Sequence, residues 1–126
     1  MVWHKRSPKV YDSGVHIVEG RFELDGSSDP TNVQGKGIKS VVHTSTGLFT
    51  ITLDREYVKL MSATATVGLR TPDDVAAQVG KVAVTSNPPT VQIAVLDAGT
   101  LADVAADGYG DNAVSFCLIL RDKSLQ

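Results

Sequence analysis

The side chains in this 126-residue sequence that could do chemistry are the histidines His4, His16 and His43, the single cysteine Cys117, and the aspartates Asp103, Asp107 and Asp111. Imidazole nitrogens and carboxylates gathered in one place can hold a transition metal or move protons. Two strand histidines meeting across a sheet, with Glu19 or Glu23 beside them, would form a cupin-like metal site. His16 lies between Val15 and Ile17, and His43 between Val42 and Thr44. Nothing in that spacing draws the two together, so separate solvent-facing or hydrogen-bonded positions are expected. Cys117 sits between Phe116 and Leu118. A nucleophilic thiol needs an electropositive, accessible setting, and this placement predicts an inert packing residue. The three aspartates are four residues apart around Asp107-Gly108-Tyr109-Gly110-Asp111-Asn112. Oxygen-rich loops can hold calcium, but the spacing is not that of an EF-hand, and a solvated turn is expected. Gly35-Lys36-Gly37 has the spacing of neither a P-loop nor a dinucleotide fingerprint, and there is no Gly-x-Ser-x-Gly elbow. A lone cysteine excludes an intrachain disulfide framework and a multi-thiolate zinc site. No metal, no cofactor and no enzymatic activity are expected.

A second cluster has the chemistry of recognition. Trp3, His4, Lys5, Arg6, Lys9 and Tyr11 combine aromatic side chains with positive charge in residues 1–14. A solvated terminus is the ordinary expectation for such an arm. Aromatics and arginine are enriched at the centres of protein interfaces, and docking on a partner is the alternative.

The rest of the chain must supply a scaffold. From residue 15 onward, short alternating runs are separated by Gly, Pro, Asn, Asp and Ser. In residues 15–24, Val18, Gly20, Phe22 and Leu24 share one face, with Glu19, Arg21 and Glu23 on the other. That period of two marks a half-buried strand. Residues 37–43 and 48–53 are joined by Thr44-Ser45-Thr46-Gly47, a hairpin signal. Residues 60–69 carry Ala63, Ala65, Val67 and Leu69 on one face. Residues 78–85 and 90–96 bracket Ser86-Asn87-Pro88-Pro89, and 91, 93 and 95 alternate as Val, Ile and Val. The Ala-rich stretch 101–106 predicts a short helical turn. In the final run, 114–121, Val114, Phe116, Leu118 and Leu120 point inward, while Ser115, Cys117, Ile119 and Arg121 point outward. Seven or eight short strands without a long helix predict an all-β, two-sheet sandwich. The absence of a Cys…Trp…Cys pattern favours a jelly-roll-like over an immunoglobulin-like form. Residues 15–126 are read as one sandwich domain behind an extended N-terminal arm, residues 1–14.

Composition narrows the partners. A formal charge of −2, with 6% aromatic residues and mixed signs, gives no basic stripe for nucleic acid. No apolar run approaches the length of a membrane span, and no stretch of signal-peptide length follows Ser7-Pro8. A soluble protein, made and used without Sec-type export, is expected. A carbohydrate-binding sandwich would need exposed aromatics, for which Tyr57 and Tyr109 are the loop candidates.

Several segments resemble small virion structural proteins of tailed bacteriophages. They are Gly47-Leu48-Phe49-Thr50-Ile51-Thr52-Leu53, then Asp54-Arg55-Glu56-Tyr57-Val58, then Ser62-Ala63-Thr64-Ala65. The ending Val114-Ser115-Phe116-Cys117-Leu118-Ile119-Leu120-Arg121-Asp122, preceded by Val91-Gln92-Ile93 and an Ala-Asp-rich stretch, is similar too. The resemblance covers most of residues 15–122 and leaves out the arm. It implies a capsid cement, or decoration, protein: a jelly-roll-like domain on the capsid exterior of the virion, made in the host cytoplasm. Its partners would be the major capsid protein, whose neighbouring copies it bridges, and itself, with a dimer ahead of a trimer. No catalytic residues come with it. A head-fibre base or tail component is the neighbouring possibility.

Overall fold

The computed structural model of the chain describes residues 14–122. Nine strands follow one another: β1 (Val15–Glu23), β2 (Thr31–Gly35), β3 (Ile38–Ser45), β4 (Leu48–Leu53), β5 (Lys59–Gly68), β6 (Val75–Ala83), β7 (Thr90–Asp97), β8 (Thr100–Leu101) and β9 (Ala113–Arg121). No helix occurs among the described residues. The strands form two antiparallel sheets packed face to face as a β-sandwich. Sheet A has the order β2-β1-β9-β5, and sheet B the order β3-β4-β7-β6, with β8 also paired to β7.

The pairing is largely non-local. The last strand lies between the first and the fifth, with Val18 opposite Leu118 on one side and Ala63 opposite Leu118 on the other. In sheet B, β7 lies between β4 and β6, so that Ile93 faces both Phe49 and Val79. The strands β9 and β7 contribute the most buried residues, five and four, because each has a strand on both sides and an inner face turned to the opposite sheet.

The alternation seen in sequence sets the core. Val18, Phe22 and Leu24, Val114, Phe116, Leu118 and Leu120 point from sheet A onto Phe49, Ile51, Leu53, Val91, Ile93 and Val95 of sheet B. Phe22 lies 5.3 Å from Phe49 and 6.2 Å from Phe116, ring centre to ring centre, so an aromatic trio bridges the sheets. Gly20, on the same inner face, leaves the space these side chains use. A Cβ there would come within 2.5 Å of both Ile38 Cδ1 and Phe116 Cζ.

Two turns depart from the sequence reading. Residues 101–106 form no helical turn. Thr100 and Leu101 pair with Asp97 and Leu96 as β8, and residues 102–106 follow without regular secondary structure. They are tied down by bonds from Ala102 N–H to Val95 O and from Gly26 N–H to Val104 O. Alanine propensity favours a helix by only tenths of a kcal/mol per residue, too little in six residues against these tertiary bonds. Tyr57, expected in an exposed loop, is 3% exposed and belongs to the core. Its N–H donates to Val84 O, which draws the 54–58 corner inward. The strand expected to begin at Gln78 begins at Val75.

Candidate partner-binding face

The chemical candidates are dispersed by the two-sheet architecture. His16, on β1, stands at one end of sheet A, 2.9 Å from Asp122 Oδ2. Asp122 is 4% exposed and also takes a salt bridge from Arg55. The Arg55 guanidinium lies 5.3 Å from the centre of the Tyr57 ring. Its charged form is favoured first by a hydrogen bond with the Tyr57 side chain and then, against the cost of desolvation, by the Asp122 charge. A cleft of about 480 Å³ opens beside this corner, lined by Lys39, Arg55, Glu56, Asn87 and Pro88 among others. The Asn87–Pro88 peptide is cis.

His43, on β3 of the opposite sheet, belongs to a separate cluster. Its Nε2–H donates to Asp103 Oδ1 at 2.8 Å, and the Gly47 N–H donates to the same oxygen at 2.8 Å. The imidazole rests edge-on against Phe49, 5.4 Å between centroids. Asp103 is thereby held below the usual carboxylate range, chiefly by the Gly47 N–H, with His43 adding to it and burial opposing. His16 and His43 share no partner, and no group of three or more potential metal ligands occurs among the described residues.

The three aspartates have three separate tasks. Asp103 pins the β3–β4 turn. Asp107 Oδ1 accepts from the backbone N–H groups of Tyr109, Gly110 and Asp111, and so shapes its own loop. Asp111 pairs with Arg70 at 3.1 Å. Arg70 also stacks over Tyr109, 3.6 Å from the ring centre, where the tyrosine is 70% exposed. With Tyr57 buried, Tyr109 is the one exposed aromatic of the two named for a sugar platform. Cys117 faces outward from sheet A, as its alternation with Phe116 and Leu118 predicts, opposite Glu19 and Thr64. Partial burial pushes its thiol pKa up, and Glu19 adds to the effect. Trp3, His4, Lys5, Arg6, Lys9 and Tyr11 lie outside the described residues. The chain enters the sandwich at Gly14, whose carbonyl accepts from the Asp122 N–H, so both ends of the described chain meet at the Arg55–Asp122 corner.

The outer face of sheet B is uncharged over most of its width. Register places Ser40, Val42 and Thr44 of β3 beside Thr50 and Thr52 of β4. These adjoin Thr90, Gln92 and Ala94 of β7, and Ala94 faces Gln78 of β6. At one end of the face Leu48 neighbours Ala94, and Leu96 pairs with Leu101, which is 40% exposed. No Asp, Glu, Lys or Arg stands at any of these outward positions. Lys39 and Lys81 fall at the register shifts of β3 and β6, at the margins. The small, unbranched or β-branched side chains leave the face flat, and the Thr44 and Thr50 hydroxyls satisfy each other at 2.5 Å. Such a surface gives up water at little cost, because burying a hydroxyl or amide that can re-pair is far cheaper than burying a charge. The sequence reading missed this face. Its signal was present in what alternates with the core residues: Thr50, Thr52, Thr90 and Gln92 are all uncharged.

Compared with known protein families, with curated proteins and with solved structures, the chain matches none.

Proposed function

We propose that this chain is a non-enzymatic virion structural protein of a tailed bacteriophage, a cement protein that binds the assembled capsid and bridges neighbouring copies of the major capsid protein. The observation that carries the reading furthest is the charge-free outer face of sheet B, flat, small-residue and rimmed by Lys39 and Lys81. Charged residues are depleted at the centres of protein interfaces, and this face has that composition across four strands. The insertion of β9 between β1 and β5 ties the two ends of the described chain into one sheet, so the sandwich is a single unit. A compact sandwich of this size can act as a clamp. A shell gains stability from any protein that binds the assembled lattice and not its free subunits. Repetition of a modest contact over a lattice makes the collective attachment strong. The arm residues Trp3, Lys5, Arg6 and Tyr11 add a second contact, and the protein acts as a homodimer.

Co-sedimentation of the purified full chain with phage capsids, and with unassembled capsid protein, tests this. Binding to capsids alone is expected. Thr52→Lys and Gln92→Glu, which place charge in the centre of the face, should weaken capsid binding at least ~10-fold while moving folding stability by only a few tenths of a kcal/mol. A chain lacking residues 1–13 should bind more weakly than the full chain. Failure to bind either form of the capsid protein sinks the cement reading and leaves tail components and glycans as the targets.

A further inference from the structure

The two edge strands of sheet A, β2 and β5, differ in how they are protected, whereas the β6 edge of sheet B carries a bulge at Val79/Val82 and Lys81. On one side, β2 is short and all five of its residues are exposed. It follows Pro30, kinks at Asn32 (φ 49°) and is succeeded by Lys36 and Lys39. Short length, irregular backbone and lysine are the usual means of keeping an edge from pairing.

On the other side, β5 ends sheet A and β6 ends sheet B, and the two run next to each other without ladder bonds between them. Residues 60–69 and 75–80 contain no Asp, Glu, Lys, Arg or Pro, in a chain that is 21% charged. Between Ala63 and Gly68 the pairing of β5 with β9 is regular, and the bulge lies before it, at Leu60/Ser62. Among the described residues, no backbone bond other than the ladder to β9 reaches residues 60–68. The core is also open here. Ala63, Ala65 and Val67 of β5, with Val75, Ala77 and Val79 of β6, pack on the core from its rim yet remain half-buried, while the central strands are sealed.

We infer that the β5/β6 side is where a second copy of this chain docks, about a two-fold axis. A two-fold contact sets a patch against itself, so any charge near the axis would face its own like. A patch with no charge, built from Ala, Val, Thr and Gly, meets its own copy without setting like charges together, and a two-fold axis sets the unpaired edge of β5 antiparallel to the same edge of that copy. Docking would complete the covering of the half-buried rim. The inference gives a place to the self-association in the proposed reading and is independent of the capsid.

Sedimentation velocity and light scattering on the purified full-length chain, over a wide concentration range, supply the test. A mass twice the 13.4 kDa of the chain is expected. The double variant Thr66→Glu/Gln78→Glu alters two exposed, outward positions and should leave the melting temperature nearly unchanged. It should weaken the dimer at least tenfold, whereas Gln34→Glu on β2 should leave it intact. Hydrogen exchange of the unmodified protein gives an independent readout. Amides of residues 60–68 should gain protection as concentration rises, and those of β2 should not. A chain that stays at its monomer mass, a dimer indifferent to Thr66→Glu/Gln78→Glu, or protection gained elsewhere overturns the inference. A dimer that passes these tests but fails to bind capsids sinks the capsid reading alone.

Discussion

Asp103 shows how much one side chain can hold. It fastens the 98–112 segment of one part of the chain to the β3–β4 turn through the Gly47 N–H and His43. Removing an acceptor from two half-buried donors costs about 1–3 kcal/mol, and Asp103→Ala should lose that much in urea unfolding at neutral pH. The contribution of the charge depends on pH in a definite direction. The folded pKa lies below the unfolded value of about 3.8, so the folded state binds fewer protons. The stabilisation is therefore complete above that value and is lost as pH falls through the lower folded one. The stability gap between the natural protein and Asp103→Asn should shrink as pH falls from about 4 toward pH 2. A gap that persists in acid would assign the effect to shape rather than charge. Gly47, the partner, is constrained twice: φ is +69°, and a Cβ would lie 2.7 Å from both Ala102 N and Val95 O. Gly47→Ala should cost about 2 kcal/mol or more, read as a fall in melting temperature.

Among the elements, the β7–β8 hairpin carries an evident strain. Ala98 and Gly99 have φ values of 51° and 86°, the two positive values of a type I′ turn. Glycine takes that conformation freely, whereas an alanine there costs about 1 kcal/mol. Ala98→Asn, giving the favoured Asn-Gly pair, should raise stability by about 0.5–1 kcal/mol, and an unchanged or lower midpoint would count against this turn geometry. The strands that were legible in sequence are those that face the core: β1, β3, β4, β5, β7 and β9 each declare themselves by alternation. β2 and β8 were not legible, because Thr31-Asn32-Val33-Gln34-Gly35 has no buried face and Thr100-Leu101 is too short to show a period. Their existence depends on an edge or a turn supplied by β1 and β7. The His43–Asp103 contact was illegible for the same reason, since the partners are sixty residues apart and only the fold brings them together.

At the level of the whole molecule, stability rests on what lies between the sheets. Phe49 is fully buried and meets Phe22 from the other sheet, so Phe49→Ala should cost about 3–5 kcal/mol in denaturant unfolding. A value near 1 kcal/mol would mean that the sheets can close over the gap. Which sheet a strand joins could not be read from the chain, because alternation identifies an inner face without naming the strand beside it. The insertion of β9 between β1 and β5 means that sheet A cannot close until residues 113–121 are present. Such long-range pairing raises contact order, and folding should be slow for a domain of this size.

The meeting of Gly14 and Asp122 at one corner has a mechanical consequence. Force applied at residues 14 and 122 would act on β1 and β9, which run antiparallel from the rung Val15–Arg121 inward. The load would fall on one rung at a time, as in opening a zipper, rather than on the whole ladder in shear. Drawn at these two points, this sandwich should peel at low force, whereas a pull applied across its broad faces would have to part the whole core at once.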